Sequence, residues 1–173
     1  LVFPNLEGRM LARFHGFLRL TSGKMSSRKG NVITGESLLR DLTKEARGRQ
    51  DVAVGAIKYV MLKSGMAKDI IFDPEQSLSL EGDSGPYLQY ALVRARSLLR
   101  AAKAAGAEVG RSDLPGEASV LEKVLVHYSD VVARAAKELE PHYVTTYLTE
   151  LASAFNSWYA QEKVIGGPHQ EYG

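Results

Sequence analysis

From Asp83 to Tyr159 the apolar residues recur at helical spacing, and this patterning limits the possible folds more than any other feature of the chain. Leu88, Ala91, Leu92, Ala95, Leu98, Leu99 and Ala102 fall on one face of a helix running to about residue 104. Leu121, Val124, Leu125, Tyr128, Val131, Val132 and Ala135 make a second, unbroken stripe. Val144, Tyr147, Leu148, Leu151, Phe155, Trp158 and Tyr159, after Pro141, make a third. Each stripe is wide enough to be a core face. Three such helices joined by short loops predict a bundle. On this reading the aromatics of the last stripe are core residues. Asp83 or Ser84 suits the cap of the first helix, and Pro86 its first turn, where a missing N–H costs nothing.

The preceding residues read differently. Alternation over residues 14–20 predicts one strand. Residues 21–31 are small, polar and basic, and read as a loop. Helices are predicted over about 36–46 and 52–63, the second with Val54, Ile57, Val60 and Met61 in register. Residues 69–74 form a short extended piece stopped by Pro74. There are no internal repeats.

Composition narrows the class. The 173 residues are 45% hydrophobic and 24% charged, as in ordinary globular proteins. No run approaches the roughly 20 apolar residues of a membrane helix. Cysteine is absent, which removes disulfides, thiolate zinc sites and cysteine nucleophiles. His15, His127, His142 and His169 show no ligand spacing, so no metal site is expected. The chain lacks an initiator Met and has no signal-peptide pattern, and is read as a part of a longer chain.

The net charge of +2 hides an uneven distribution. Between Glu7 and Glu36 there is no acid, but Arg9, Arg13, Arg19, Lys24, Arg28 and Lys29 are present. A second basic stretch, Arg94, Arg96, Arg100, Lys103 and Arg111, is opposed only by Glu108. Two local positive regions suggest sites that hold anions such as phosphates.

The first region contains Lys24-Met25-Ser26-Ser27-Arg28-Lys29-Gly30, three cations and two hydroxyls bracketed by Gly23 and Gly30. The glycines permit close backbone approach to a ligand. Lysine offers a compact charge and arginine a planar fork. The set fits a triphosphate whose charge builds as pyrophosphate departs. Its spacing is not that of a Walker A loop.

Strand, loop and helix together resemble the KMSKS region of class I aminoacyl-tRNA synthetases. Val54-Gly55-Ala56-Ile57-Lys58-Tyr59, then Lys68-Asp69-Ile70-Ile71-Phe72-Asp73, then Gly85-Pro86-Tyr87-Leu88-Gln89-Tyr90-Ala91 continuing through Arg94-Ala95-Arg96 look like arginyl-tRNA synthetase. Glu140-Pro141-His142 followed by Tyr147-Leu148, Leu151-Ala152, Phe155 and Trp158-Tyr159 is similar to that family's helical anticodon-binding, or DALR, domain. The resemblance covers nearly the whole chain. It departs from the family at Ser27, where the pattern usually has lysine, and the HIGH motif is absent.

The resemblance implies a mainly α fold: residues 1–80 as the end of a Rossmann-type catalytic domain, and 81–173 as an anticodon-binding bundle incomplete at its C-terminus. It implies ATP-dependent attachment of arginine to its tRNA, by a monomeric cytoplasmic enzyme away from membranes, with ATP and Mg2+ as the substrate complex and no metal held by this part, which is inactive alone. Lys24, Arg28 and Lys29 are then the catalytic cations, and Lys24, Met25, Ser26 and Ser27 contact ATP. Tyr87, Gln89, Tyr90, Arg94, Arg96, Arg100 and Lys103 are the candidates for tRNA contact. Arg96, Arg100 and Lys103 share one helix face. The alternatives are a free-standing tRNA-binding module, a helical scaffold for proteins, and a cysteinyl- or methionyl-tRNA synthetase.

Overall fold

The structure, a computed structural model, describes residues 11–21, 34–106 and 117–161. Strand β1 (Leu18–Leu20) is followed by helices α1 (Gly35–Glu45) and α2 (Gln50–Leu62), strand β2 (Ile70–Phe72) and the one-turn α3 (Pro74–Ser77). Helices α4 (Gly85–Ala104), α5 (Val120–Val126), α6 (Tyr128–Glu138) and α7 (His142–Gln161) complete the described chain.

The strands β1 and β2 pair in parallel, with Leu18 opposite Ile70 and Leu20 opposite Phe72. A parallel pair requires a long crossover, and α1 and α2 supply it. The strand expected over 14–20 is regular only at Leu18–Leu20. Its earlier residues still run beside the chain before β2, with the Ala67 N–H donating to Phe14 O at 3.1 Å and the Ile70 N–H to Phe17 O at 2.8 Å. Gly16 lies so close to the Lys68 carbonyl that a Cβ there would overlap it, which is why a glycine stands at this crossing.

Leu38, Leu42, Ala53, Val60 and Phe72 form a buried core between α1, α2 and the strands, with Leu18, Leu20, Ile57 and Ile70 packed around it. Of the apolar triplet in β2, Phe72 is buried, Ile70 is half-buried and Ile71 is 69% exposed. Val32 and Ile33 lie outside the described residues. Thr34 caps α1 by accepting the Ser37 N–H at 3.1 Å. Pro74 does more than stop a strand: it opens α3, whose cap is Asp73.

Helix α2 differs from its expected amphipathic pattern. Its buried residues are Ala53, Ala56, Tyr59 and Val60, while Met61 is exposed. The helix is apolar on nearly all sides because it is covered on two of them, by α1 and β2 and by α4. At the α4 crossing the two backbones nearly touch. A Cβ on Gly85 would fall on the Gly55 carbonyl, and one on Gly55 would meet the Gln89 amide at 2.5 Å. At Gly85 the obstacle is backbone, so glycine is required there; at Gly55 it is the end of the Gln89 side chain.

Ser84 is the cap of α4, accepting the Tyr87 N–H at 3.1 Å, and Pro86 is buried in the first turn as the sequence indicates. The stripe from Leu121 to Ala135 is not one helix. The chain turns at His127, where its N–H bonds Val124 O at 3.2 Å, three residues back. The bundle among the described residues therefore has four helices, not three. No proline or glycine marks the turn. It arises because α5 and α6 both pack along the single long α7 and must bend to follow it. The start of α5 carries a capping box between Ser119 and Glu122, with bonds of 3.2 and 2.7 Å.

Gly85→Ala should cost about 3 kcal/mol in urea unfolding, since the added methyl meets backbone and the helices must separate. Gly55→Ala should cost less, because its neighbour is the end of a flexible side chain. Equal costs would contradict the crossing described.

Candidate nucleic-acid interface

Helix α4 positions seven of the sequence-predicted contact residues, and it sorts them into two groups. Arg96, Arg100 and Lys103 are exposed on the outer face. The Arg100 guanidinium reaches only Ser97 Oγ, at 3.4 Å, so the three cations remain directed to solvent. Lys103 sits in the last turn, where a cation also suits the helix dipole.

The second group is tied inward. Arg94 donates to Asn156 Oδ1 at 2.9 Å, and its guanidinium lies 4.2 Å from the Tyr159 ring centre and 5.4 Å from that of Tyr90. It clamps α4 to α7. Gln89 donates to the Asp51 carbonyl at 3.0 Å and ties α4 to α2, while its own side-chain oxygen is buried without a partner. Tyr87 is half-buried and Tyr90 is 46% exposed. Of the seven, the structure brings Arg96, Arg100 and Lys103 together as a free row, with Tyr90 nearer the start of the same helix. Lys24, Met25, Ser26, Ser27, Arg28 and Lys29 lie outside the described residues.

A polar node behind α4 was not legible in the sequence. The Tyr59 hydroxyl donates to the Asp83 carboxylate and lies 2.6 Å from the Thr149 hydroxyl. Lys63 Nζ reaches the same carboxylate at 3.1 Å. The node joins α2, the turn before α4, and α7. Burial and the facing carboxylate push the Tyr59 phenol up to about 12. Burial works to raise the Asp83 carboxyl, but bonds from Tyr59 and Lys63 outweigh it and hold it below its usual range. No spacing rule links residues 59, 83 and 149; only the tyrosine within an apolar helix hints that a partner is needed.

A second polar cluster fixes the start of α7. Glu140 Oε2 accepts the Met66 N–H at 3.0 Å and pairs with His142 Nδ1 at 2.9 Å. The Met66 bond lowers the Glu140 carboxyl; burial opposes this and His142 adds to it. Thr145 Oγ1 lies 3.2 Å from the Leu62 carbonyl at the end of α2. Arg134 and Glu138, an i,i+4 pair readable from sequence, meet at 3.0 Å and both engage the Tyr143 hydroxyl. Among the described residues no group of three or more His, Asp or Glu is placed to hold a metal ion, and no helix is long and apolar enough to cross a membrane.

Residues 88–172 match the family model of the DALR anticodon binding domain. The arginine–tRNA ligase of Borreliella burgdorferi is 36% identical over 171 residues, covering 87% of this chain and 29% of the relative. That of Treponema denticola is 34% identical over 178 residues, covering 88% of this chain and 30% of the relative. Among solved structures, the arginyl-tRNA synthetase of Thermus thermophilus superposes with a TM-score of 0.72 at 32% identity, over 89% of this chain and 28% of that one. The arginyl-tRNA synthetase of Plasmodium falciparum, at 20% identity and a TM-score of 0.55 over 91% of this chain and 29% of that one, shares the fold.

The helices α4 to α7 thus form a helical anticodon-binding domain of the DALR type, packed on a strand-bearing segment. Over nearly its whole length the chain is similar to the C-terminal part of arginyl-tRNA synthetases. It spans under a third of the length of the curated relatives it matches.

The raised Tyr59 phenol has a consequence for stability. A group whose pKa is higher folded than unfolded contributes its full stabilisation below its unfolded value of 10. That contribution is lost as pH climbs through about 12. Tyr59→Phe should therefore show a shallower fall in stability across this range than wild type, followed by urea midpoints at successive pH values. Parallel curves would contradict the buried, carboxylate-facing phenol.

Proposed function

We propose that this chain is the tRNA-holding and KMS-loop part of an arginine–tRNA ligase. The observation that carries the reading is the exposed row of Arg96, Arg100 and Lys103 on the first helix of a domain whose family model describes anticodon binding. Relatives named as arginine–tRNA ligases matching nearly the whole chain support it. The row serves phosphates. Such contacts position RNA without reading sequence and make binding salt-dependent. Tyr90 and Tyr87 are the aromatic surfaces nearest the start of that helix, and an unstacked base is held by stacking on such rings.

In the whole enzyme two steps follow. The arginine carboxylate oxygen bonds to the α-phosphorus of ATP, the bond to the β-phosphate bridge breaks, and pyrophosphate leaves. A ribose hydroxyl at the tRNA 3′ end then attacks the activated carbonyl and releases AMP. The first step needs positioning and charge stabilisation more than acid–base chemistry. Lys24 neutralises the leaving phosphates, Arg28 and Lys29 add charge, and Met25, Ser26 and Ser27 shape the loop against ATP. The proposed division has residues 1–80 serving catalysis and 81–173 serving the tRNA.

Two measurements test this. Lys24→Ala in the full-length enzyme should lower ATP–pyrophosphate exchange about 100-fold, a loss of ~3 kcal/mol in the transition state. An unchanged exchange rate removes Lys24 from the step. For RNA binding by this chain, Arg100→Ala should weaken affinity and reduce the slope of log K against log salt by about 1. A slope equal to wild type would take Arg100 off the phosphates.

A further inference from the structure

The apolar stripe of α4 is only partly covered. Leu92 is 49% exposed and Leu99 69%. Leu88, Leu92 and Ala95 form one bank of a groove of about 480 Å3, and Leu121 and Leu125 of α5 form the other. Its floor is Leu148, Leu151 and Phe155 of α7. Among the lining residues only Gln89 is polar. An open apolar surface of this kind marks a place that another surface covers.

The two banks carry opposite charge at their outer edges. By helical periodicity Arg96 lies beside Leu92, on the side away from buried Ala91, and Arg100 and Lys103 continue that edge. In the same way Glu122 lies beside Leu125, on the side away from buried Val124, and Glu117 stands just ahead of α5. Arg96, Arg100, Glu117 and Glu122 are all exposed. The two edges are level with each other. Arg94 bonds Asn156 of α7, and Leu121 lines a recess with Ser153 and Trp158, so Arg96 and Glu122 flank the same stretch of α7.

A twofold axis along the groove keeps heights and exchanges sides. Two copies packed face to face across it set the leucines of each α4 against those of the other copy's α5. They also set Arg96 and Arg100 of one copy against Glu122 and Glu117 of the other. Twofold interfaces are self-complementary in this sense, and a partner charged with one sign would match one bank and oppose the other. The stretches that flank the bundle helices in sequence offer no rival occupant. Residues 107–116 hold Gly110 and Pro115, residues 162–173 hold Gly166, Gly167 and Pro168, and neither repeats apolar residues at the spacing of a helix face.

We propose that a second copy of this chain covers the groove, in a twofold dimer with a leucine centre and Arg–Glu edges. The inference does not rest on the RNA-binding reading. Because Arg96 and Arg100 serve both surfaces, RNA and the second copy compete for them.

Sedimentation equilibrium of the 173-residue chain at about 100 μM should give twice the mass of one chain. Leu92→Glu should keep the far-UV circular dichroism spectrum and weaken association at least about 10-fold, because it places a charge at the apolar centre of the interface. The chain has no cysteine, so single introduced thiols report which residues meet. A mixture of Arg96→Cys and Glu122→Cys chains under mild oxidation should form the mixed disulfide several-fold more than either homodisulfide. The wild-type mass and the disulfide pattern do not depend on how Leu92→Glu folds. A single-chain mass for the wild type overturns the second copy and leaves the groove to another occupant, such as a helix of a different protein. A dimer that Leu92→Glu does not weaken, or one in which homodisulfides prevail, overturns this surface as its interface.

Discussion

The crossing of α2 and α4 is the contact on which the rest of the arrangement depends. Gly55 and Gly85 let the two helix backbones meet without side chains between them. The close approach leaves α2 buried on two sides, against the α1–strand core and against the bundle. It also sets the direction in which α4 leaves the crossing, with Gln89 tied to Asp51 and Arg94 clamped to Asn156. What remains on the outer face is the row of Arg96, Arg100 and Lys103. These three point to solvent, whereas Gln89 and Arg94 on the same helix bond to α2 and α7.

Polar contacts reinforce this crossing where apolar packing is thin. The Tyr59–Asp83–Thr149 node and the Glu140 contacts with Met66 and His142 join α2, its following turn and α7. Both are partly buried and multiply bonded, so removing one member leaves polar groups unsatisfied, which costs more than the bond itself is worth. Exposed pairs such as Arg49–Asp51, with an N–O distance of 3.0 Å, contribute far less. The segment that carries the strands and the helical domain are therefore joined by the packing of α2 on α4 together with these polar contacts.

Most of the architecture was legible because it is periodic or capped. The α4 helix, the Ser84 cap and Pro86 were readable, as were the two short strands around Leu18–Leu20 and Ile70–Phe72, but Leu92 and Leu99 of the α4 stripe are exposed rather than part of a core face. The bend at His127 was not, since it is imposed by packing along α7 and no breaker residue marks it. Arg94 shows the limit for the interface. On sequence it belongs to a basic run with Arg96 and Arg100, but helical geometry turns it toward Tyr159 and Asn156. Spacing gives the face of a helix; what that face meets comes from the other elements. The Tyr59 node spans residues far apart in the chain, and no local pattern announces it.

The central claim is that α2 makes the strand-bearing segment and the bundle one cooperative unit. The most direct test is urea unfolding of the 173-residue chain followed by two probes: far-UV circular dichroism, which reports every helix, and the fluorescence of the single tryptophan, Trp158, which reports the far end of α7. Shared burial of α2 predicts superimposable transitions with one midpoint. A Trp158 transition displaced from the circular dichroism curve, or a two-step curve, would mean that the bundle folds without its α2 partner and would contradict the account.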